Sequence, residues 1–318
     1  MNDKSVQDFH DLIKARNRKI AFGITAATVL FMVIRLVVTR FYVDEVIHFY
    51  KDGGDFLNFI LVFFDYAAAA CILAVWITSA FIYRYKKEGY SYLAASDSLV
   101  QGTHTLVFSS SGAGFMLAFA SAIQVYSMLQ YNGLPFGDRI ITYIKTYPFD
   151  FAIIFVSLLC SFYFFKTAGL SDSLNTNSAD QTQPAQAKPY AQHYIIFSFM
   201  PILWSFLNIF KCFFDMSKSV NSPLRIYELM CFLALSAYFV SEARMIVGRR
   251  KISRFFTFAY ISVMFVALSA LPNLIMSAFW ILKTNNSQII YAVQIAFGFY
   301  IASRVYSQIR YSKFLLER

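Results

Sequence analysis

An aspartate stands within one of the most apolar stretches of this chain: Asp65, in FFDYAAAA. An ionisable group inside hydrocarbon is expensive, is normally paired, and marks a site by default. About ten residues into its run, Asp65 sits ~15 Å along a helix axis, too deep to reach either interface. Arg35, near the end of the preceding apolar run, has a side chain long enough to meet it. Two chemistries follow. An Arg35–Asp65 ion pair would fix the register of two helices. A carboxylate released from such a pair would couple a proton or ion to movement of a solute.

A second group of polar residues lies further along. Asn208 precedes Lys211 by three residues, and Arg225 precedes Glu228 by three, so each pair shares a helix face. Lys211, Arg225 and Glu228 are therefore expected to converge in one outward-facing cluster. It would be either a charge network stabilising the loop 212–223 or an entrance for substrate or ion. Asn273 and Gln294 need partners inside the bundle. Glu242, in VSEARMIVGRRK, is expected to bridge to the seventh or eighth helix, for instance to Arg304, which otherwise snorkels to the interface. The candidate pathway is thus Arg35, Asp65, Lys211, Arg225, Glu228 and Asn273. In FSSSGAGFMLAFASA, Ser110, Gly114, Ala118 and Ala122 recur every four residues. Small residues so spaced let two helix backbones approach, while Gly112 and Gly114 offer an unwound site as the alternative.

Other chemistry has no support. There is no HExxH, no GxSxG, no P-loop and no GxGD with a second membrane aspartate. Asp44, Glu45 and His48 form one metal-capable turn, but no second His or Cys lies nearby, so a solvated loop is expected and no metal or cofactor is assigned. Cys71, Cys160, Cys212 and Cys231 lack metal-ligand spacing and read as buried thiols, with a Cys212–Cys231 disulfide as the weaker alternative. No reaction is assigned.

The elements that must position these residues are apolar runs. Hydrophobic residues make up 58% of the chain and charged residues 14%. A helix spans ~30 Å of hydrocarbon with ~20 apolar residues. Runs at 20–38, 56–83, 105–129, 149–165, 194–210, 226–247, 255–282 and 289–306 meet or approach that length, those at 149–165 and 194–210 only just. None alternates like a barrel strand, and helices satisfy their own backbone in lipid. The expected fold is all-α, a polytopic bundle of about eight spans. Pro201 and Pro272 should kink their helices.

Organisation follows from the polar stretches. Residues 1–19 form a basic N-terminal segment, and the run after them reads as a retained anchor rather than a cleaved signal. Residues 171–193 are rich in Ser, Asn, Gln and Ala and read as a flexible linker between two four-helix halves, 20–170 and 194–318. The stretch 132–148 reads as a loop, with Pro135, Gly137 and Pro148 as breakers. Of the 28 Lys and Arg residues, nineteen fall on the side of the chain termini and eight on the other. The positive-inside rule then puts both termini in the cytoplasm, as expected for a plasma-membrane protein. The net charge of +10 reflects this bias and contact with anionic headgroups, not nucleic-acid binding. A homo-oligomer or a membrane partner is compatible with the pattern. The sequence points first to a small transporter or permease, and second to a non-catalytic sensor, scaffold or subunit.

Overall fold

The structure is a computed structural model that describes residues 3–44, 49–51, 54–82, 90–91, 103–130, 135–177, 192–214, 222–247, 252–279, 288–311 and 315–316. Eight helices are long and apolar enough to cross a membrane: Ala15–Tyr42, Asp55–Ser79, His104–Leu129, Pro148–Leu170, His193–Phe214, Pro223–Ile246, Ser253–Ala278 and Gln288–Ile309. They are called spans one to eight below. The protein is an all-α, multi-pass membrane bundle. Its one described ladder is a two-residue antiparallel pairing of Tyr90–Ser91 with Leu315–Leu316.

Local chemistry sets the helix ends. Thr103 caps span three, its Oγ1 accepting from the Leu106 amide at 3.1 Å. Gly54, at φ +85°, makes the left-handed turn before span two. Proline opens spans four and six, where its missing amide is not needed. The same property explains a departure from expectation between spans three and four. Pro135 precedes, and Pro148 follows, a short amphipathic helix, Phe136–Thr146, so these prolines bound a helix instead of excluding one. The fourth helix also runs on to Asn177, seven residues into the expected linker; positions 178–191 lie outside the described residues.

The two prolines inside spans act differently. In span five the helix breaks at Ser198 and Phe199 and restarts at Met200, just before Pro201. In span seven the turn before Pro272, Val266–Ala270, is wound as a π-helix, with the Leu271 amide donating to the Val266 carbonyl. A wider turn relieves the clash of a proline ring with the carbonyl four residues back.

Spans three and four make the most extensive contact, and the packing then runs four to five, five to six and six to seven. Span eight lies inside this arc against three and seven, while spans one and two lean on span seven. Accordingly, little of span one is buried and most of spans six and seven is. The centre is aromatic. Phe164 stacks on Phe297 with centroids 5.2 Å apart, and Trp204 meets the same ring edge-on at 5.1 Å while its indole N–H donates to Ser157 at 2.9 Å. Phe63, Phe108, Phe115 and Phe155 are exposed, as hydrophobic residues facing lipid are.

The small-residue stripe of span three is only half on the contact face. Ser110 and Gly114 are buried, Ala118 is partly exposed and Ala122 is exposed. Four residues turn an α-helix by ~400°, so a strict every-fourth pattern rotates off the interface by ~40° per step. The buried line instead runs Ser110, Ala113, Leu117, Ala120, Ser121. The Ser121 hydroxyl reaches the Ile154 carbonyl of span four at 3.3 Å, a contact that needs closely packed helices. Gly112 and Gly114 sit in an unbroken helix, which removes the unwound alternative.

Candidate functional site

Arg35 and Asp65 meet, with Nη1 and Oδ1 3.5 Å apart. Spans one and two make few contacts with each other elsewhere, so the pair is a principal tie between them. Two tyrosines complete the site. Tyr50 is held beside the end of span one by an antiparallel bridge in which Val43 pairs with Tyr50 and Lys51 N–H donates to the Tyr42 carbonyl at 2.7 Å. Its hydroxyl accepts from Arg35 at 3.0 Å and donates to Asp65 Oδ2 at 2.6 Å. Burial pushes the Tyr50 hydroxyl up from its ordinary 10.0 to about 12, with Arg35 opposing the shift and the bond to Asp65 adding to it. Tyr50 therefore stays a neutral donor. From span six, Tyr227 donates to Asp65 Oδ1 at 2.9 Å, and its ring lies under the Arg35 guanidinium at 4.1 Å. A cation over an aromatic face is stabilised by the ring quadrupole. The guanidinium is thus held by a carboxylate, a hydroxyl and a ring, although its Nη2 has no hydrogen-bond partner among the described residues.

Asp65 also opens onto a groove. Spans two and six both pack on span seven, and the wedge between them holds a cavity of ≈ 470 Å³. Ala68 and Ala69 of the alanine run leave it room, while Trp76, Met230 and Phe265 help to wall it. From Asp65 to Trp76 the groove follows span two for ~16 Å. Trp76 and Met230 are half-exposed, so the groove opens sideways to the membrane. Asp65, Tyr227 and Trp76 carry the polar side-chain groups of an otherwise apolar lining.

Of the outward-facing cluster expected of Lys211, Arg225 and Glu228, the last two both reach Cys212, the residue after Lys211. Lys211 turns instead to Asp150 at the start of span four, Nζ to Oδ1 at 2.5 Å. Arg225 donates to the backbone carbonyls of Cys212 and, at 2.9 Å, Phe213. Those carbonyls belong to the last turn of span five, where a helix presents its final carbonyls to donors outside it, and a cation there also complements the helix dipole. Glu228 is buried and accepts from Tyr291 of span eight and, at 3.5 Å, from Asn273 of span seven. Cys212 Sγ lies 3.9 Å from its other oxygen. Cys212 and Cys231 are free thiols, so the disulfide alternative does not hold. Glu228 and Asn273 thus form a knot joining spans five to eight, separate from Arg35 and Asp65.

At the opposite end of span six, Glu242 pairs with Arg304 at 3.1 Å, and both side chains are almost fully buried. Tyr300 donates to Glu242 at 2.6 Å and accepts from Arg304 Nε at 2.9 Å. Arg304 is therefore a core residue and does not snorkel. Among the described residues no group of His, Cys, Asp and Glu could hold a metal ion; Glu45 and His48 lie outside them.

Tyr50, Tyr227, Tyr291 and Tyr300 were all missing from the sequence-predicted site. Of these only Tyr300 carried a signal in the sequence, since Arg304 follows it by one helical turn and so shares its face. Compared with protein-family models, with curated proteins and with solved structures, the chain matches none.

Proposed function

We propose that this multi-pass membrane protein is a small permease-like carrier that takes an amphiphile sideways from the bilayer. The apolar body of the substrate lies along the groove of spans two, six and seven, and a cationic or hydrogen-bond-donating head meets Asp65. One observation carries this reading: the Asp65 side chain is 31% exposed, whereas that of Arg35 is 1% exposed. The carboxylate faces an incoming group and its counter-ion does not.

A head bearing an ammonium or hydroxyl supplies Asp65 with the donor that Tyr227 supplies in the structure. Asp65, Arg35 and Tyr227 come from three different spans, so a change of partner at one carboxylate biases the arrangement of all three. Differential contacts of that kind are what let a ligand shift a conformational equilibrium. The lysine and arginine bias gives this reading its orientation, with both termini in the cytoplasm of a plasma membrane.

Native mass spectrometry of the detergent-purified protein, followed by uptake into proteoliposomes, tests the proposal. Wild type is expected to retain an amphiphile of defined mass. Ala69→Phe, which fills the groove one turn from Asp65 and leaves both charges in place, and Asp65→Asn are expected to lose it while eluting as folded protein. Equal retention by all three rejects the groove as the site. A second reading, a sensor or scaffold, is favoured by the dry Glu242–Arg304 pair, which holds spans six and eight together at one end. Retention without uptake selects it.

A further inference from the structure

The Gln294 carboxamide is fully buried, and neither its oxygen nor its nitrogen has a hydrogen-bond partner among the described residues. Ser269, 1% exposed on the π-turn of span seven, likewise has a hydroxyl without a partner. Two contacts bracket these groups. On one side Val266 packs on Gly298 so closely that a Cβ there would stand 2.9 Å from Val266 Cγ1. On the other, Asn273 and Tyr291 meet on the same Glu228 oxygen. Spans seven and eight run antiparallel, and Gln294 lies one turn from Gly298 toward Tyr291, while Ser269 lies one turn from Val266 toward Asn273. The register therefore brings the two unpartnered side chains to the same level of the facing stripes.

Ser269 stands on the π-turn over Val266–Ala270, which is wider than an α-turn, and Val266 fills the place that a side chain at Gly298 would take. The chemistry restricts the occupant. Gln294 needs a donor for Oε1 and an acceptor for Nε2, and Ser269 offers a hydroxyl that can do either. A bare cation satisfies only the oxygens. Water does both, and a buried water takes two to four polar partners.

We infer that Gln294 and Ser269 form a binding site for ordered water between spans seven and eight, one turn deeper than the Glu228 knot. The site does not rest on the amphiphile reading. It sets the depth at which the polar interior ends, since Phe297 and Gly298 begin the dry aromatic core on the next turn.

Radiolytic hydroxyl-radical footprinting with mass spectrometry tests this on the intact chain in lipid nanodiscs, because trapped water oxidises side chains that bulk solvent cannot reach. The segment from Tyr291 to Phe297 is expected to be oxidised in wild type, and that oxidation to be lost in Gln294→Leu and reduced in Ser269→Ala. Ser269→Ala keeps the test open should Gln294→Leu not fold. An unmodified segment in wild type overturns the site. So does a higher unfolding midpoint for Gln294→Leu, which would mean that the carboxamide was simply unsatisfied. The unfolding midpoint of wild type should be the same in sodium, potassium and choline chloride. A midpoint raised by one metal ion in wild type but not in Gln294→Leu would replace water by a cation and overturn the inference.

Discussion

Asp65→Asn isolates the charge at the candidate site with almost no change of shape. The asparagine oxygen still accepts from Tyr50, its NH2 group faces the Tyr227 hydroxyl, which must turn from donor to acceptor, and Arg35, 1% exposed, loses its only salt-bridge partner among the described residues. Breaking a buried pair from one side costs ~3–5 kcal/mol in water-soluble proteins. Two features lower that figure here. The Tyr227 ring continues to stabilise the guanidinium by ~0.5–2 kcal/mol. In membranes, polar contacts between helices average only ~0.6 kcal/mol, because the unfolded reference also finds partners. The expected loss is therefore about 2 kcal/mol, read as a lower unfolding midpoint and a smaller folded fraction by fluorescence-detected size exclusion. Adding Arg35→Gln removes the stranded charge, and at least half of the loss should return. A double-mutant cycle of single and double variants gives the coupling directly. Additive losses, or no loss in any variant, would refute the pairing energetics. Normal folding of Asp65→Asn with loss of bound amphiphile would instead make the carboxylate chiefly a ligand group.

Three further outcomes follow. Glu242→Gln strands Arg304 in a fully buried, tyrosine-lined position and should be the more damaging change, by up to ~3–5 kcal/mol, with folded yield largely restored in Glu242→Leu/Arg304→Met. Gly298→Ala puts a methyl group 2.9 Å from Val266 Cγ1 and should lower stability by ~1–3 kcal/mol, whereas Val266→Ala in the same chain should recover most of it; thermal unfolding in detergent reads both. For topology, single cysteines introduced by Ser178→Cys and Ser312→Cys should react with an impermeant maleimide only after the membrane is opened, and Ser287→Cys should react in intact cells. Labelling of Ser178→Cys from outside would overturn the orientation derived from lysine and arginine placement.

The spans were legible because hydrocarbon thickness sets a length that a sequence displays openly. Arg35 and Asp65 were legible for the same reason, since a charge in an apolar run stands out and has few partners within reach. Partner choice between distant segments was not. Lys211 was grouped with Arg225 and Glu228 because they adjoin one loop, yet it pairs with Asp150, brought close by the packing of spans four and five. Tyrosine was the larger blind spot. With 21 tyrosines in the chain, nothing local distinguishes Tyr50, Tyr227 or Tyr291 from interfacial anchors. The stripe Ser110–Gly114–Ala118–Ala122 held for its first two residues and left the contact face at the last two, because a repeat of four drifts against a helix of 3.6 residues per turn. Pro272 signalled a distortion, but whether the chain answers with a kink or a π-turn depends on what span eight packs against it.

The most direct test of the carrier reading is a high-resolution cryo-EM map of the protein in lipid nanodiscs, paired with one of Asp65→Asn. The expected map has elongated density along Ala68, Ala69 and Phe265, ending in a head group within hydrogen-bond distance of Asp65, and that head-group density disappears in Asp65→Asn. A wild-type groove that is closed, or filled by lipid whose head group lies away from Asp65, would contradict the reading.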